Sequence, residues 1–200
     1  MFVTVLLTLA CSVPPPPPEA SSTIPLDGQV QLVNAVDSHK YLHYAVGRSI
    51  EAPPELVWAL LTDAKGYTGW NSTVVSLDGD ISAGSTIHLV VKAAPDRTFD
   101  LNVSTFEAPS LMVWSDGGKT FRGVRTFTLS PNSGGGTDWT MKEAFDGTMI
   151  GMIAPKLPDF TEDFETFARD LEVEAEKRAA AARPPEPAPE AAPEAAPSGG

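Results

Sequence analysis

Two charged side chains, Arg125 and Glu143, sit on the apolar faces of neighbouring strand-like runs. In FRGVRTFTL the odd positions are Phe121, Gly123, Arg125, Phe127 and Leu129; in TDWTMKEAFDG they are Trp139, Met141, Glu143, Phe145 and Gly147. Side chains alternate faces along a strand, so the odd set of each run faces one way, toward a core. A charge on such a face needs a partner, because burying it alone is costly. The turn PNSGGG joins the two runs. Pairing Leu129 with Thr137 sets Arg125 opposite Met141 and diagonal to Glu143, within reach of long side chains. Three arrangements follow: a structural ion pair, a polar anchor for a ligand head group, or a strand bulge that sends one of the two to solvent. As chemistry, Glu143 is the candidate general base and Arg125 the candidate anion stabiliser.

Little else in the chain has the spacing for catalysis. The histidines are His39, His43 and His88, and with Cys11 they form no ligand cluster of the usual metal spacing. His88 points outward by parity in STIHLVV, where Ile87, Leu89 and Val91 point in. GGKT lacks the spacing of a phosphate loop and reads as a hairpin turn. Glu143 stands alone among inward carboxylates, and no motif for a cofactor is present. In RTFDLNVST the odd positions Phe99, Leu101 and Val103 are the inward, apolar set.

The elements that must position these residues occupy the middle of the chain. Of 200 residues, 19 are Pro, and these cluster at the two ends. The formal net charge of −12 excludes nucleic acid as a main partner, since phosphate binding needs a basic surface. Residues 1–10 form a short apolar run resembling an export signal. Cys11 follows it directly, as in the bacterial lipoprotein motif, where that cysteine is lipidated. Residues 11–40 read as a proline-rich linker, with Pro14 to Pro18 extended and semi-rigid. Residues 179–200, rich in Ala, Pro and Glu, read as a disordered tail with nothing large to bury.

Between these ends, residues 41–178 suffice for one core. YLHYAVGRSIE alternates as a strand, and Pro53 and Pro54 stop it and open a helix with the stripe Leu56, Val57, Leu60 and Leu61. Six strand candidates follow, bounded by Gly, Asp, Pro or Asn and separated by gaps short enough for antiparallel hairpins. The last helix, expected over 159–178, carries Phe160, Phe164, Phe167, Ala168, Leu171 and Ala175 as one apolar stripe, and its other face is almost all acid. Asp159 and Glu162 have the spacing of a capping box.

This order of strand, helix, short helix, six strands and long helix resembles the helix-grip arrangement, an α+β fold in which a curved antiparallel sheet wraps a C-terminal helix around a cavity. IEAPPELVWALLTD, GYTGWN, LMVW, FRGVRTF, GGGTDWTMKEAFDG and MIGMIAP look like the START and birch-pollen-allergen-like superfamily, in its polyketide cyclase/dehydrase-like bacterial branch. The resemblance implies that Met112 and Trp114 are the inward pair of their strand. It implies that Leu56, Leu60, Leu61 and Trp70 close one end of the cavity. Phe164 and Phe167 on the helix either pack in the core or face the cavity in part, depending on what lies opposite them. The apolar segment TMIGMIAP, with Met149 and Met152, would stand at the entrance, as a gate or as a core seal.

The resemblance further implies ligand binding or cyclase-type catalysis. A cavity with so few polar groups favours binding of a hydrophobic small molecule or lipid, without a cofactor, by a monomer tethered to a bacterial membrane through Cys11. The alternative is a cyclase/dehydrase-like enzyme acting on a hydrophobic substrate. A third reading, activation of a chaperone ATPase, is disfavoured by export.

Overall fold

The computed structural model of the protein describes residues 23–39 and 41–183. The expected signal segment, Cys11, residues 12–22 and 40 of the linker, and residues 184–200 lie outside the described residues. Eight strands form one antiparallel sheet: β1 (Gln31–Ala35), β2 (Tyr41–Ile50), β3 (Val74–Asp78), β4 (Thr86–Val91), β5 (Ala94–Glu107), β6 (Leu111–Gly117), β7 (Arg122–Pro131) and β8 (Thr137–Asp146). The sheet order is β1-β2-β8-β7-β6-β5-β4-β3. Helices α1 (Val36–His39), α2 (Pro54–Thr62), α3 (Tyr67–Trp70), α4 (Ile150–Ile153) and α5 (Thr161–Ala182) complete the chain. This is the helix-grip fold, α+β, with α5 against the concave face.

β1 and α1 correct the expected linker. Residues 31–39 belong to the domain, because β1 pairs with β2 from Gln31↔Ala45 to Ala35↔Tyr41. β1 thereby covers backbone groups that β2 would otherwise leave unpaired at an edge. The C-terminal boundary also moves outward from 178. α5 runs to Ala182 with Ala179 buried, and alanine is the strongest helix former. The helix ends at Arg183, which is extended as the residue before a proline prefers to be.

Pro53 is the N-cap of α2 and Pro54 its first residue. Val57, Trp58, Leu60 and Leu61 are buried on this helix and Leu56 only half-buried, so Trp58 belongs to the packed face. Trp58 meets Phe106 edge-on at 5.1 Å. Phe106 reaches it because a bulge between Val103 and Thr105 shifts the register of β5, turning an even position inward.

α5 begins at Thr161, two residues later than expected. Asp159 Oδ1 accepts from the Thr161 amide and hydroxyl, and Phe160, not Asp159, is the N-cap residue, so no capping box forms. Phe164, Phe167, Ala168, Leu171 and Ala175 are buried along its apolar stripe. Phe167 lies at the centre: Trp139 stacks on it at 5.9 Å, and Trp70, Phe127 and Tyr67 surround it at 5.6, 6.1 and 6.3 Å.

The acidic flanks of α5 fasten three other segments. Glu165 accepts from the Val30 amide at 3.1 Å, and Asp170 from the Ser72 amide at 2.8 Å. Glu172 pairs with Arg48 at 3.0 Å, and Glu176 accepts from the Glu51 amide at 3.0 Å. A face that reads as solvated charge thus supplies acceptors to backbone donors before β1, just after β2 and after α3, and to the Arg48 guanidinium on β2.

Candidate functional site

The β7–β8 hairpin sets the site. Its loop runs from Asn132 to Gly136, and Pro131 pairs with Thr137. Asn132 Oδ1 accepts from the amides of Gly134 and Gly136, each at 2.9 Å, which shapes the loop. Gly136 must lack a side chain, since a Cβ there would lie 2.3 Å from the Ile50 carbonyl oxygen. This loop puts Leu129 opposite Trp139 and Arg125 directly opposite Glu143. The pairing expected from the sequence was offset by two residues, with Arg125 opposite Met141. The observed register makes the charged residues nearest neighbours rather than diagonal ones.

On the concave face the strands align side chains in rows. One row is Trp114, Arg125, Glu143 and Tyr44; the next is Asp116, Gly123, Phe145 and Leu42. Arg125 Nε donates to Glu143 Oε2, and the guanidinium carbon stands 5.2 Å from the Phe164 ring. Asp116 Oδ1 accepts from the Gly123 amide at 3.1 Å. A Cβ on Gly123 would meet Asp116 Oδ1 at 2.7 Å, Glu143 Oε1 at 3.5 Å and Phe145 at 3.5 Å. The glycine therefore leaves a notch flanked by two carboxylates and an aromatic ring.

Above the notch is a cavity of about 130 Å³. Leu89, Phe99, Leu101, Trp114 and Phe145 line it from the sheet, Phe121 from the turn before β7, and Leu157, Phe160, Phe164 and Phe167 from the helical side. Arg125, Glu143, Asp116 and Asp163 are its charged groups within the fold. Arg97 and Pro158 are the lining residues left exposed and mark its opening. The Arg97 guanidinium covers the Phe99 ring at 4.4 Å.

Burial pushes the Glu143 carboxyl above the usual carboxylate range, against the downward pull of the adjacent Arg125 guanidinium. Asp116 adds to the rise by repulsion. Burial also raises Asp163, helped by the neighbouring Glu162 charge, and pushes the Tyr67 hydroxyl up. Among the described residues no group of three His, Cys, Asp or Glu side chains is placed to hold a metal ion.

The residues expected at the site divide into three sets. Phe99, Leu101, Trp114, Arg125, Glu143, Phe145, Phe164 and Phe167 line the cavity. Val103, Met112, Phe127, Trp139 and Met141 point inward as expected but are fully buried core beneath it, not cavity wall. Met149 and Met152 do neither: they are 39% and 60% exposed. TMIGMIAP is not a loop but α4 followed by a single 3-10 turn, Ala154–Lys156, and the turn of α4 buries Ile150 while carrying both methionines to the surface. Asp116 is the residue missed. It continues the inward parity of Met112 and Trp114 by one further step, and it gives Glu143 the second inward carboxylate that the sequence reading denied.

A profile of the family described as polyketide cyclase / dehydrase and lipid transport matches residues 42–182. No curated protein matches the sequence. In fold, the chain is similar to a START superfamily protein from Mycobacterium smegmatis, at 18% identity and a TM-score of 0.52 over 68% of this chain and 98% of that one. It is likewise similar to a protein from Mesorhizobium loti at 22% identity and a TM-score of 0.52, over 68% of this chain and 97% of that one. A Helicobacter pylori protein at 10% identity has a TM-score of 0.55, over 78% of this chain and 99% of that one.

Proposed function

The chain belongs to the polyketide cyclase / dehydrase and lipid transport family, and from that premise we propose that its domain binds a compact hydrophobic molecule in the cavity between the sheet and α5. The carrying observation is the cavity itself, walled by seven aromatic side chains and closed on the helical side by Phe160, Phe164 and Phe167. Its volume of about 130 Å³ sets the size of the occupant. A cavity of about 150 Å³ lined by apolar residues accommodates benzene, whereas typical drug-sized ligands need about 300–1,000 Å³. A ring-sized molecule, or the end of a chain, fits the space as it stands. Titrating the protein with benzene while recording ¹H–¹³C spectra of the Leu89, Leu101 and Leu157 methyl groups tests this. Saturable shifts confined to those methyls support it; their absence at millimolar benzene refutes it.

A second reading, a cyclase/dehydrase-like enzyme, draws support from one observation: Asp116 stands with Glu143 in the cavity wall. Glu143, buried and raised, would take a proton from a carbon next to a carbonyl, and Arg125 would stabilise the oxyanion that forms. Loss of turnover in Glu143→Gln with binding retained would separate this role from simple binding.

The apolar run 1–10, Cys11 and the proline-rich spacer support an exported domain held at a bacterial membrane by a lipidated cysteine. Incorporation of a labelled fatty acid into wild type and not into Cys11→Ser tests the anchor.

A further inference from the structure

The polar groups at the cavity floor are incompletely used. Arg125 spends Nε on Glu143, and its two terminal nitrogens have no hydrogen-bond partner among the described residues. Glu143 is 8% exposed; Oε2 receives Arg125, while Oε1 has no hydrogen-bond partner among the described residues and borders the Gly123 notch. Asp116 spends Oδ1 on the Gly123 amide, and Oδ2 is not engaged by any described residue. Donors and acceptors are therefore both vacant, side by side, at the base of an apolar cavity.

Charge decides which head group suits that floor. An anion approaching Arg125 comes beside the carboxylates of Glu143 and Asp116. A cation approaching those carboxylates comes beside the Arg125 guanidinium. Within a mostly apolar cavity each like-charge approach is less screened than in bulk water, and the ion must also shed part of its hydration. A neutral group that both donates and accepts meets neither cost. Its hydrogen goes to a vacant carboxylate oxygen, and its lone pair receives a terminal Arg125 N–H. Hydrogen bonds to ionised partners are the stronger kind, so the match is worth more here than a bond between neutral groups. The missing Gly123 side chain supplies the room: a methyl there would stand 2.7 Å from Asp116 Oδ1 and fill the notch.

We propose that the ligand is a neutral, ring-sized apolar molecule bearing a hydroxyl or a comparable donor–acceptor head, seated with that head in the Gly123 notch between Asp116, Glu143 and Arg125. The inference rests on the cavity-binding reading above and adds the chemistry of the head group to it. It selects hydroxylated or amide-bearing ring compounds over carboxylates, amines and plain hydrocarbons.

Calorimetric titration of the full chain with four probes of similar size tests it: benzene, phenol, benzoate and benzylamine. Phenol is expected to bind about tenfold more tightly than benzene, and both ions more weakly than benzene. Equal affinities for phenol and benzene overturn the head-group assignment and leave the cavity reading standing. Tightest binding by benzoate or by benzylamine overturns it in favour of an anion or a cation site. If none of the four binds to folded protein, the cavity reading itself falls, and this inference with it. The variant Asp116→Asn combined with Glu143→Gln provides the second measurement. The phenol-to-benzene ratio, taken within that variant, should narrow to below threefold. A ratio that stays near tenfold shows that the carboxylates do not receive the hydroxyl, and the assignment fails.

Discussion

Replacing Arg125 by Met leaves Glu143 in the cavity wall without its cation, and the cost can be worked from the carboxyl group. Met preserves most of the aliphatic stem of Arg125 and loses the guanidinium that stands over Phe164, so the change is mainly one of charge. The orphaned carboxylate has one escape, which is to bind a proton. Against the ordinary value of 4.5, that costs about 1.4 kcal/mol for each pH unit above it. The electrostatic loss therefore has a ceiling of about 3.4 kcal/mol at pH 7 and about 1.4 kcal/mol at pH 5.5. The wild type already carries part of this burden, because burial raises the carboxyl even with Arg125 present. We expect a loss of about 2 kcal/mol at pH 7, seen as a fall of about 4–8 °C in Tm for a domain of this size. Urea melts at pH 7 and pH 5.5 measure it, and the loss should at least halve at the lower pH. Adding Glu143→Met removes the stranded charge and should return stability to within about 1 kcal/mol of wild type, since an apolar pair of similar volume substitutes for a buried ion pair at little cost. A loss equal at the two pH values, or a double variant no better than the single one, would refute the reasoning.

Glu143→Gln should flatten part of the pH profile of stability. With its folded value raised above 4.5, Glu143 stabilises the fold below 4.5 and loses that contribution as pH climbs to the folded value. The difference between variant and wild type in urea midpoint should therefore move in favour of the variant as pH rises through that window; a constant difference counts against the raised value. Phe127→Ala removes a fully buried ring that meets Trp114 at 4.9 Å and should cost about 3–5 kcal/mol in a denaturant melt. Met149→Ser and Met152→Ser should each change stability by less than about 0.5 kcal/mol, because both side chains are exposed; a loss near 2 kcal/mol would restore the core-seal reading.

Strand parity carried most of the site from the sequence. The alternation through Phe99–Val103, Phe121–Leu129 and Trp139–Phe145 gave the concave face residue by residue, and it set Arg125 and Glu143 apart as charges on it. Parity cannot give depth, however. Met112, Phe127 and Met141 share a face with Trp114, Arg125 and Glu143, and only the position of α5 decides which row is sealed and which borders the cavity. The hairpin register was misjudged because it depends on how Asn132 folds the loop, a side-chain interaction that composition does not reveal. Asp116 escaped notice because a polar residue at the end of a strand reads as the start of a turn, although here it is still paired, opposite Gly123.

The fastenings of α5 give the cavity a time scale. The first of them along the helix is Glu165, and the later ones, at Asp170, Glu172 and Glu176, clamp the remaining turns. Ahead of Glu165 lie Phe160, Asp163 and Phe164, which line the cavity, and the N-cap residue contributes no side-chain hydrogen bond. The helix is thus clamped by acidic side chains along most of its length, while its first turn, the cavity wall, is held by packing of Phe160 and Phe164 against Tyr44 and Phe145. Helical turns at such ends open and reclose on time scales from nanoseconds to microseconds. A molecule too large for the opening at Arg97 and Pro158 would leave on this side, and its residence time would then follow the opening frequency of one helical turn. Serine in place of Phe160 would supply a cap but remove a ring of the wall, shortening the stay through one effect while lengthening it through the other. Tightening the hold without touching the wall means strengthening the bond between Asp159 and Thr161, the latch nearest the door.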